Sequence, residues 1–275
     1  MCVKTEQSQE LKNKLTEMMA WFHQFCIDNN LTYYVLGGTM LGAMRHGGFI
    51  PWDDDIDVGM PREDYNKLAA LLENKTVGNY LMETPNTTEK DFYYPFSKIY
   101  DTKTTLIENT KSQIKRGIYL DIFPLDGIGN SMEESEKNFK KVQRLNNYRL
   151  LKVAGFRKGR KFYKNIGVAL FRLIPINAKK ILKKLDRECA KFDFYDYEYC
   201  GNLVGAWGLK EIVPKDVMGT PKLYKFENIF VYGVEKPDEY LTSLYGDWRQ
   251  LPPVEKRITH HDFVLCDLNK SYLED

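Results

Sequence analysis

A mixed α/β (α+β) fold is predicted for this chain of 275 residues, and three observations predict it. Short apolar runs of strand length alternate with segments whose apolar residues recur at helical spacing. One strand, Ile56-Asp57-Val58, alternates apolar and acidic residues. A second, Ile118 to Phe123, embeds a single carboxylate, Asp121, among apolar neighbours.

Taken in order, Gln7 to Asn29 places Leu11, Leu15, Met18, Phe22 and Phe25/Cys26 at helical spacing. Lys12, Lys14 and Glu17 fall outside that stripe, so the segment predicts an amphipathic helix with His23 packed near its apolar edge. Asn29-Asn30 ends it. Tyr33 to Leu36 predicts a short strand halted by Gly37-Gly38, and Thr39 then caps a short helix through about His46. Beyond Pro51 and Trp52 come Asp53, Asp54 and Asp55. Period-two alternation puts Ile56 and Val58 on one face of a strand and Asp55 and Asp57 on the other. Pro61-Arg62-Glu63-Asp64 reads as a helix start, with Pro in the first turn and acids where the dipole favours them. That helix runs to about Glu73, with Tyr65, Leu68, Ala69 and Leu72 inward.

Tyr80–Glu83, Phe96–Tyr100 and Thr104–Glu108 are strand candidates, the first two separated by the loop Thr84–Lys90. After the strand bearing Asp121, Pro124-Leu125-Asp126-Gly127 turns the chain, with Asp126 as a turn residue. Helices are expected from Met132 to about Val153 and from Ala178 to about Phe192. The apolar run Ile166–Ile174 between them contains Arg172 and is too short to span a bilayer. Strands Leu223–Phe226 and Ile229–Tyr232 and a helix from Lys236 to Tyr245 follow. Pro252-Pro253 then excludes regular structure. His260 and His261 are adjacent, so on a strand they point to opposite faces; that disfavours joint metal ligation and leaves a substrate or phosphate contact as the alternative.

Composition narrows the class. No run approaches the roughly 18 apolar residues of a membrane span, and Met1-Cys2-Val3-Lys4 opens no signal peptide. The five cysteines form no CxxC pair, which fits a reducing cytosol and argues against a zinc module. The net charge of +2 hides an asymmetry: Lys137 to Arg187 holds 17 Lys plus Arg against one acid, Asp186. That region carries +16, leaving −14 for the rest. A basic patch on an otherwise acidic chain suits an anionic partner.

The chemistry points to phosphate. No GxxxxGK[ST] loop, GxGxxG fingerprint or HExxH is present. A calcium EF-hand loop starting at Asp53 fails, because Val58 stands where Gly is required and Asp64 where a bidentate Glu is expected. Asp55 and Asp57 would lie about 6–7 Å apart at their α-carbons and repel. A hard divalent cation turns that repulsion into a site, and Asp121 from a neighbouring strand supplies a third carboxylate. The turn Gly37-Gly38-Thr39 at a helix start offers backbone N–H groups and a hydroxyl to phosphate oxygens. Arg45 offers a fork for charge developing in phosphoryl transfer, and Lys98 a phosphate contact. Asp53 and Asp54 order the loop or back the ligands.

GGT-x-LGA-x-R-HGGFIPWDDDIDVGMPR resembles the core motif of LicD proteins, relatives of fukutin-related protein within the nucleotidyltransferase superfamily. The resemblance continues through SKIYDTKTTLIE, YLDIFPLDG and YLTSLYGDWRQLPPVEKRITHH. It maps the superfamily's glycine turn onto Gly37-Gly38 and its three acids onto Asp55, Asp57 and Asp121, as metal ligands and catalytic residues. It implies a nucleotidyltransferase-fold mixed sheet flanked by helices in one domain spanning 1–275. The catalytic core would cover about 30–130, a basic helical insertion about 132–195 and a C-terminal extension about 200–275. It further implies Mg²⁺-dependent (or Mn²⁺-dependent) transfer of phosphocholine or a similar phospho-alcohol from a CDP-linked donor, CDP-ribitol in the fukutin-related branch. The acceptor would be a hydroxyl of a cell-surface glycan such as teichoic acid, lipopolysaccharide or capsule, and CMP would leave. The basic stretch 137–187 suits an anionic, lipid-linked acceptor, with a cytoplasmic protein peripheral at the inner membrane face. A nucleotidyltransferase acting on a sugar phosphate or protein is the same-fold rival. A nucleic-acid adaptor, which would use the basic helices alone, leaves the three acids unexplained, so no nucleic-acid partner is expected.

Overall fold

From the N-terminus, α1 (Thr5–Asp28) leads into β1 (Tyr34–Val35), α2 (Gly37–His46), β2 (Asp57–Pro61) and α3 (Arg62–Leu72). Next come β3 (Thr76–Val77), β4 (Tyr80–Glu83), β5 (Ser97–Asp101), β6 (Thr105–Glu108), β7 (Lys115–Arg116) and the long β8 (Tyr119–Gly129). The basic region contributes α4 (Met132–Val153) and α5 (Ala178–Cys189). Then follow β9 (Tyr199–Gly201), β10 (Ile212–Pro214), the one-turn α6 (Lys215–Met218), β11 (Lys222–Phe226), β12 (Ile229–Gly233), α7 (Pro237–Tyr245) and β13 (Phe263–Asp267). The structure is a computed structural model that describes residues 5–73, 75–87, 92–109, 113–153, 177–259 and 263–274. The apolar run Ile166–Ile174 and the pair His260-His261 lie outside the described residues.

The large sheet is mixed, in the order β11-β12-β1-β2-β8-β5-β4-β3, with β9 on the far half of β8 and β10 on β9. Among the described residues, only β1–β12 and β2–β8 are parallel strand pairs in it. A second sheet has the order β13-β6-β7. Helices α1, α3 and α4 pack against the large sheet, and α2 packs against α7 and β11. The expected stripe of α1 is buried, as are Tyr65, Leu68 and Leu72 of α3. Ile56 and Val58 are fully buried, but β2 begins only at Asp57, so Asp57 is the acid it carries and Asp55 lies in the preceding loop, not beside Asp57 on one strand face as the alternation predicts. His23 packs as expected, its Nδ1 2.6 Å from the Tyr33 hydroxyl.

Four local expectations need correction. Pro124 to Gly127 does not turn; β8 continues through it because β2 pairs with it as far as Leu125 and β9 takes over from Asp126. Asp126 is consequently no turn residue but a 1% exposed carboxylate, gripped by Arg62 through Nε and Nη2, both at 2.7 Å. Thr39 does not cap α2: Leu36 occupies the cap position, without a side-chain bond, and Thr39 lies inside the helix. Lys12 is buried, not solvated, because its ammonium donates to the carbonyls of Ile50 and Pro51 at 3.3 and 3.0 Å.

Candidate active site

The carboxylates meet where β2 and β8 run side by side. In the parallel register Asp57 pairs with Asp121, and across the next, antiparallel pair Asp121 opposes Lys98 of β5. Lys98 in turn opposes Glu83 of β4. Residues level across a sheet share a face, so Asp57, Asp121, Lys98 and Glu83 form one charged row. Lys98 Nζ donates to Asp121 Oδ1 at 2.6 Å, and both side chains are buried. Glu83 has its own cation, accepting from Arg116 Nε at 3.0 and 3.2 Å.

Upstream of β2, the loop carries Asp53, Asp54 and Asp55, each with a carboxylate oxygen within 4.8 Å of the other two. Asp55 is therefore shared between the ligand set expected from the sequence and this cluster, while Asp53 and Asp54 bring oxygens that the sequence reading had put in a supporting role. Burial, then the charges of Asp55, Asp121 and Asp53, push the Asp57 carboxyl well above its usual range. Such mutual repulsion in an all-oxygen donor set fits a hard divalent cation, which relieves it.

The glycine turn lies against these acids. Gly37 has φ +48°, and Gly38 is so close to the loop that a Cβ there would come 2.6 Å from Asp53 Oδ2. The Gly37 N–H donates to the Tyr240 hydroxyl at 3.2 Å. By position, the N–H groups of Gly38 and Thr39 have no intrahelical acceptor, which leaves them to face an anion. Thr39 Oγ1 accepts from the Asp57 N–H at 2.9 Å, so this hydroxyl braces the acidic strand. Gly47, at φ +69°, ends α2 in the left-handed conformation and lets the chain return towards the acidic loop.

Arg45 is held from the far end of the chain. Its Nη1 donates to the carbonyls of Trp248 and Gln250 at 2.8 and 3.3 Å, which fastens the C-terminal segment onto α2. That segment then crosses the acidic loop: Arg257 lies over Trp52, and Thr259 donates to Asp54 Oδ2 at 2.8 Å.

Three residues beside the site escaped the sequence reading, although two of them stand in the C-terminal motif it quoted. Tyr240 is buried against Gly37, and the Tyr245 hydroxyl would lie 3.8 Å from a Cβ on Gly37. Burial raises both phenols, with Asp57 among the charges acting on each. Glu211 is 6% exposed; burial lifts its carboxyl to about 7, against bonds from the Trp207 N–H and from Asn202 that lower it. The tyrosines stand five residues apart on α7 within that motif, which was their signal; Glu211 left none.

A family model described as "LicD/FKTN/FKRP, nucleotidyltransferase domain" matches residues 30–162, which include the glycine turn, Asp53, Asp54, Asp55, Asp57, Asp121 and Lys98. The chain is 31% identical over 249 residues to lipopolysaccharide cholinephosphotransferase LicD of Haemophilus influenzae, covering 89% of this chain and 92% of that protein. Over 39 residues it is 56% identical to human ribitol 5-phosphate transferase FKRP, which is 14% of this chain and 8% of that one. These likenesses define the class: the chain is an enzyme that transfers phosphorus-containing groups. It belongs to the LicD family.

Proposed function

We propose that the enzyme moves phosphocholine, or a closely similar phospho-alcohol, from a CDP-linked donor to a hydroxyl of a cell-surface glycan. The observation that carries this is the register pairing of Asp57 with Asp121 beside the Gly37-Gly38 helix start, within a chain matched along most of its length by a cholinephosphotransferase. Asp55, Asp57 and Asp121 would hold Mg²⁺ or Mn²⁺, with Asp53 and Asp54 at the loop side of the same cluster. The bound cation supplies charge neutralisation for the two phosphates and for the departing CMP.

The chain's own groups do the rest. The Gly38 and Thr39 N–H groups orient a donor phosphate, and the Gly37 turn, backed by Tyr240, keeps that helix start in place. Asp121 accepts the proton of the acceptor hydroxyl as its oxygen bonds to the phosphorus bearing the alcohol. The bond from that phosphorus to the bridging oxygen breaks, and the electron pair leaves with CMP. Lys98 lies level with Asp121 and meets a donor phosphate once released from it. Arg45 acts at one remove, by fastening the Trp248–Gln250 turn beside the site.

We take the chain to work as a single catalytic unit over 1–275: one core runs from Leu11 of α1 to Leu268 after β13, and a second, smaller one joins α4 and α5 to β8 through Ile128. The outer faces of α4 and α5 carry exposed Lys137, Lys140, Lys141, Arg144, Lys180, Lys183, Lys184 and Arg187. That surface suits an anionic membrane face from which a lipid-linked acceptor would be drawn. Among the described residues no helix is long and apolar enough to cross a membrane.

Product analysis separates the proposal from its same-fold rival. Incubation with CDP-choline and with CDP-ribitol, plus a crude glycan acceptor, should yield CMP and a phosphodiester on the glycan with one of them. Release of pyrophosphate from another nucleotide, with neither donor consumed, would turn the assignment to nucleotidyl transfer.

A further inference from the structure

The surroundings of Lys98 are unusual for a lysine. Its ammonium is buried, with the whole residue 2% exposed, and its carboxylate partner is Asp121. The rest of the group lies against ring faces, 3.3 Å from the centroid of Tyr119, 4.6 Å from Tyr94 and 5.6 Å from Phe96. The two phenols are fixed from behind, since the hydroxyls of Tyr94 and Tyr119 donate to Glu108 at 2.9 and 2.5 Å. The sleeve therefore has its own support and does not need Lys98 to hold its shape.

Asp121 is also one of the three acids that would ligate the divalent ion. An ammonium at 2.6 Å from Oδ1 and a divalent cation on the same carboxylate repel each other, and the ring faces offer the ammonium only weak compensation. The next carboxylate in the row, Glu83, is already engaged by Arg116. A lysine on a flexible four-carbon stem can leave; a guanidinium locked by a fork could not do so as readily.

We infer that Lys98 is a built-in cation that holds Asp121 until a divalent ion takes its place, and that the displaced ammonium then serves the donor's phosphate. Lys98 is on this account an exchange and positioning residue: it keeps the acidic row neutral enough to fold, and it is handed to the substrate only when the metal has arrived. The inference rests on the metal reading of the acids, and its test is arranged so that the two can fail separately.

The experiment uses the full chain, stripped of metal, and follows two readouts other than turnover. Mn²⁺ binding is measured by the electron paramagnetic resonance of free Mn²⁺, and the reactivity of Lys98 by a pulse of acetic anhydride with peptide mass spectrometry. Lys98 should be protected without metal, become acetylated on saturation with Mn²⁺, and be protected again when CDP-choline is added. Lys98→Met should bind Mn²⁺ about tenfold more tightly, the order expected when a competing charge-assisted hydrogen bond is removed. If that variant does not fold, the acetylation of the wild-type chain decides alone. Absence of Mn²⁺ binding in the wild type would sink the metal reading itself. Binding with unchanged Lys98 reactivity, or equal or weaker binding by Lys98→Met, would leave the metal reading standing and overturn the exchange.

Discussion

Asp57 and Asp121 are register partners on adjacent parallel strands. They come from segments 64 residues apart in number, and the pairing exists because the chain makes a crossover from β2 through α3 and the β3–β7 region before returning as β8. Neighbouring strands lie about 4.8 Å apart, so two ionised carboxylates at this register have no stable arrangement without a cation between or beside them. Lys98 fills that need for Asp121, and Asp57 is left with its carboxyl raised by burial and by its acidic neighbours.

The closeness of Gly38 to Asp53 gives a sharp steric prediction. A methyl group at this position would meet Asp53 Oδ2 at 2.6 Å, so the Asp53 carboxylate must swing away. Gly38→Ala should fold, since alanine favours the helix that it enters. It should lose Mn²⁺ affinity and transfer activity together, by about tenfold or more if the loop acids are ligands, since a misplacement of this size costs catalysis on that scale. Unchanged Mn²⁺ affinity in a folded variant would remove Asp53 from the site.

Arg62 ties the acidic half of the chain to the basic one. It holds Asp126 of β8 through two bonds and Asp186 of α5 through a third, Nη1 to Oδ1 at 2.7 Å. These acids keep the buried guanidinium protonated. Asp126→Ala would strand it, and urea unfolding should show a loss of about 3–5 kcal/mol, as for other broken buried pairs. Replacing Arg62 and Asp126 together by apolar residues should cost less than Asp126→Ala alone.

Glu211 makes stability depend on pH. Its ordinary value is 4.5 and burial raises it to about 7 in the folded chain. Between these values the folded state keeps a proton that the unfolded chain has lost, so Glu211 lowers stability progressively as pH rises through this window. Below it the penalty is absent, and above about 7 it is complete. Glu211→Gln should flatten this part of the profile, gaining about 2–3 kcal/mol over the wild type at pH 8 relative to pH 4.5. Urea midpoints at the two pH values check it, and parallel profiles would show the carboxyl to be ionised throughout.

The basic face of α4 and α5 predicts salt-sensitive attachment to anionic bilayers. Lys180, Lys183 and Lys184 are exposed on one helix whose Ile181, Leu182 and Leu185 are buried. Changing the three lysines to Gln should reduce sedimentation with phosphatidylglycerol vesicles, by about 1 kcal/mol for each charge near the surface, while turnover on a soluble acceptor stays the same. Equal sedimentation of the two proteins would remove the membrane face.

Local rules made much of this legible before the fold was known. Ile56 and Val58 named the buried face of β2, and the stripe from Leu11 to Phe22 named that of α1. What stayed hidden depends on partners distant along the chain. Asp126 resembled a turn residue because its neighbours are Pro124 and Gly127; only Arg62, 64 residues away, makes a buried carboxylate tolerable there. Arg45 has the chemistry of a phosphate fork, yet the carbonyls that take it belong to residues more than 200 positions on. Lys12 sat outside the apolar stripe of α1, and the loop carbonyls that desolvate it could not be seen from helical period. Lys98 was singled out for its place on a strand, but its bond to Asp121 is a matter of register, which periodicity does not set.

The most direct measurement is CMP release from CDP-choline, with a glycan acceptor, by the wild type, Asp57→Asn and Asp121→Asn, each with and without Mg²⁺. The account predicts release by the wild type only with the metal, and a loss of about 10²-fold or more in each variant, the scale for removing a group that stabilises charge in the transition state. Circular dichroism should show both variants folded. Undiminished CMP release by a folded Asp57→Asn, or release by the wild type that ignores Mg²⁺ and chelator alike, would contradict it.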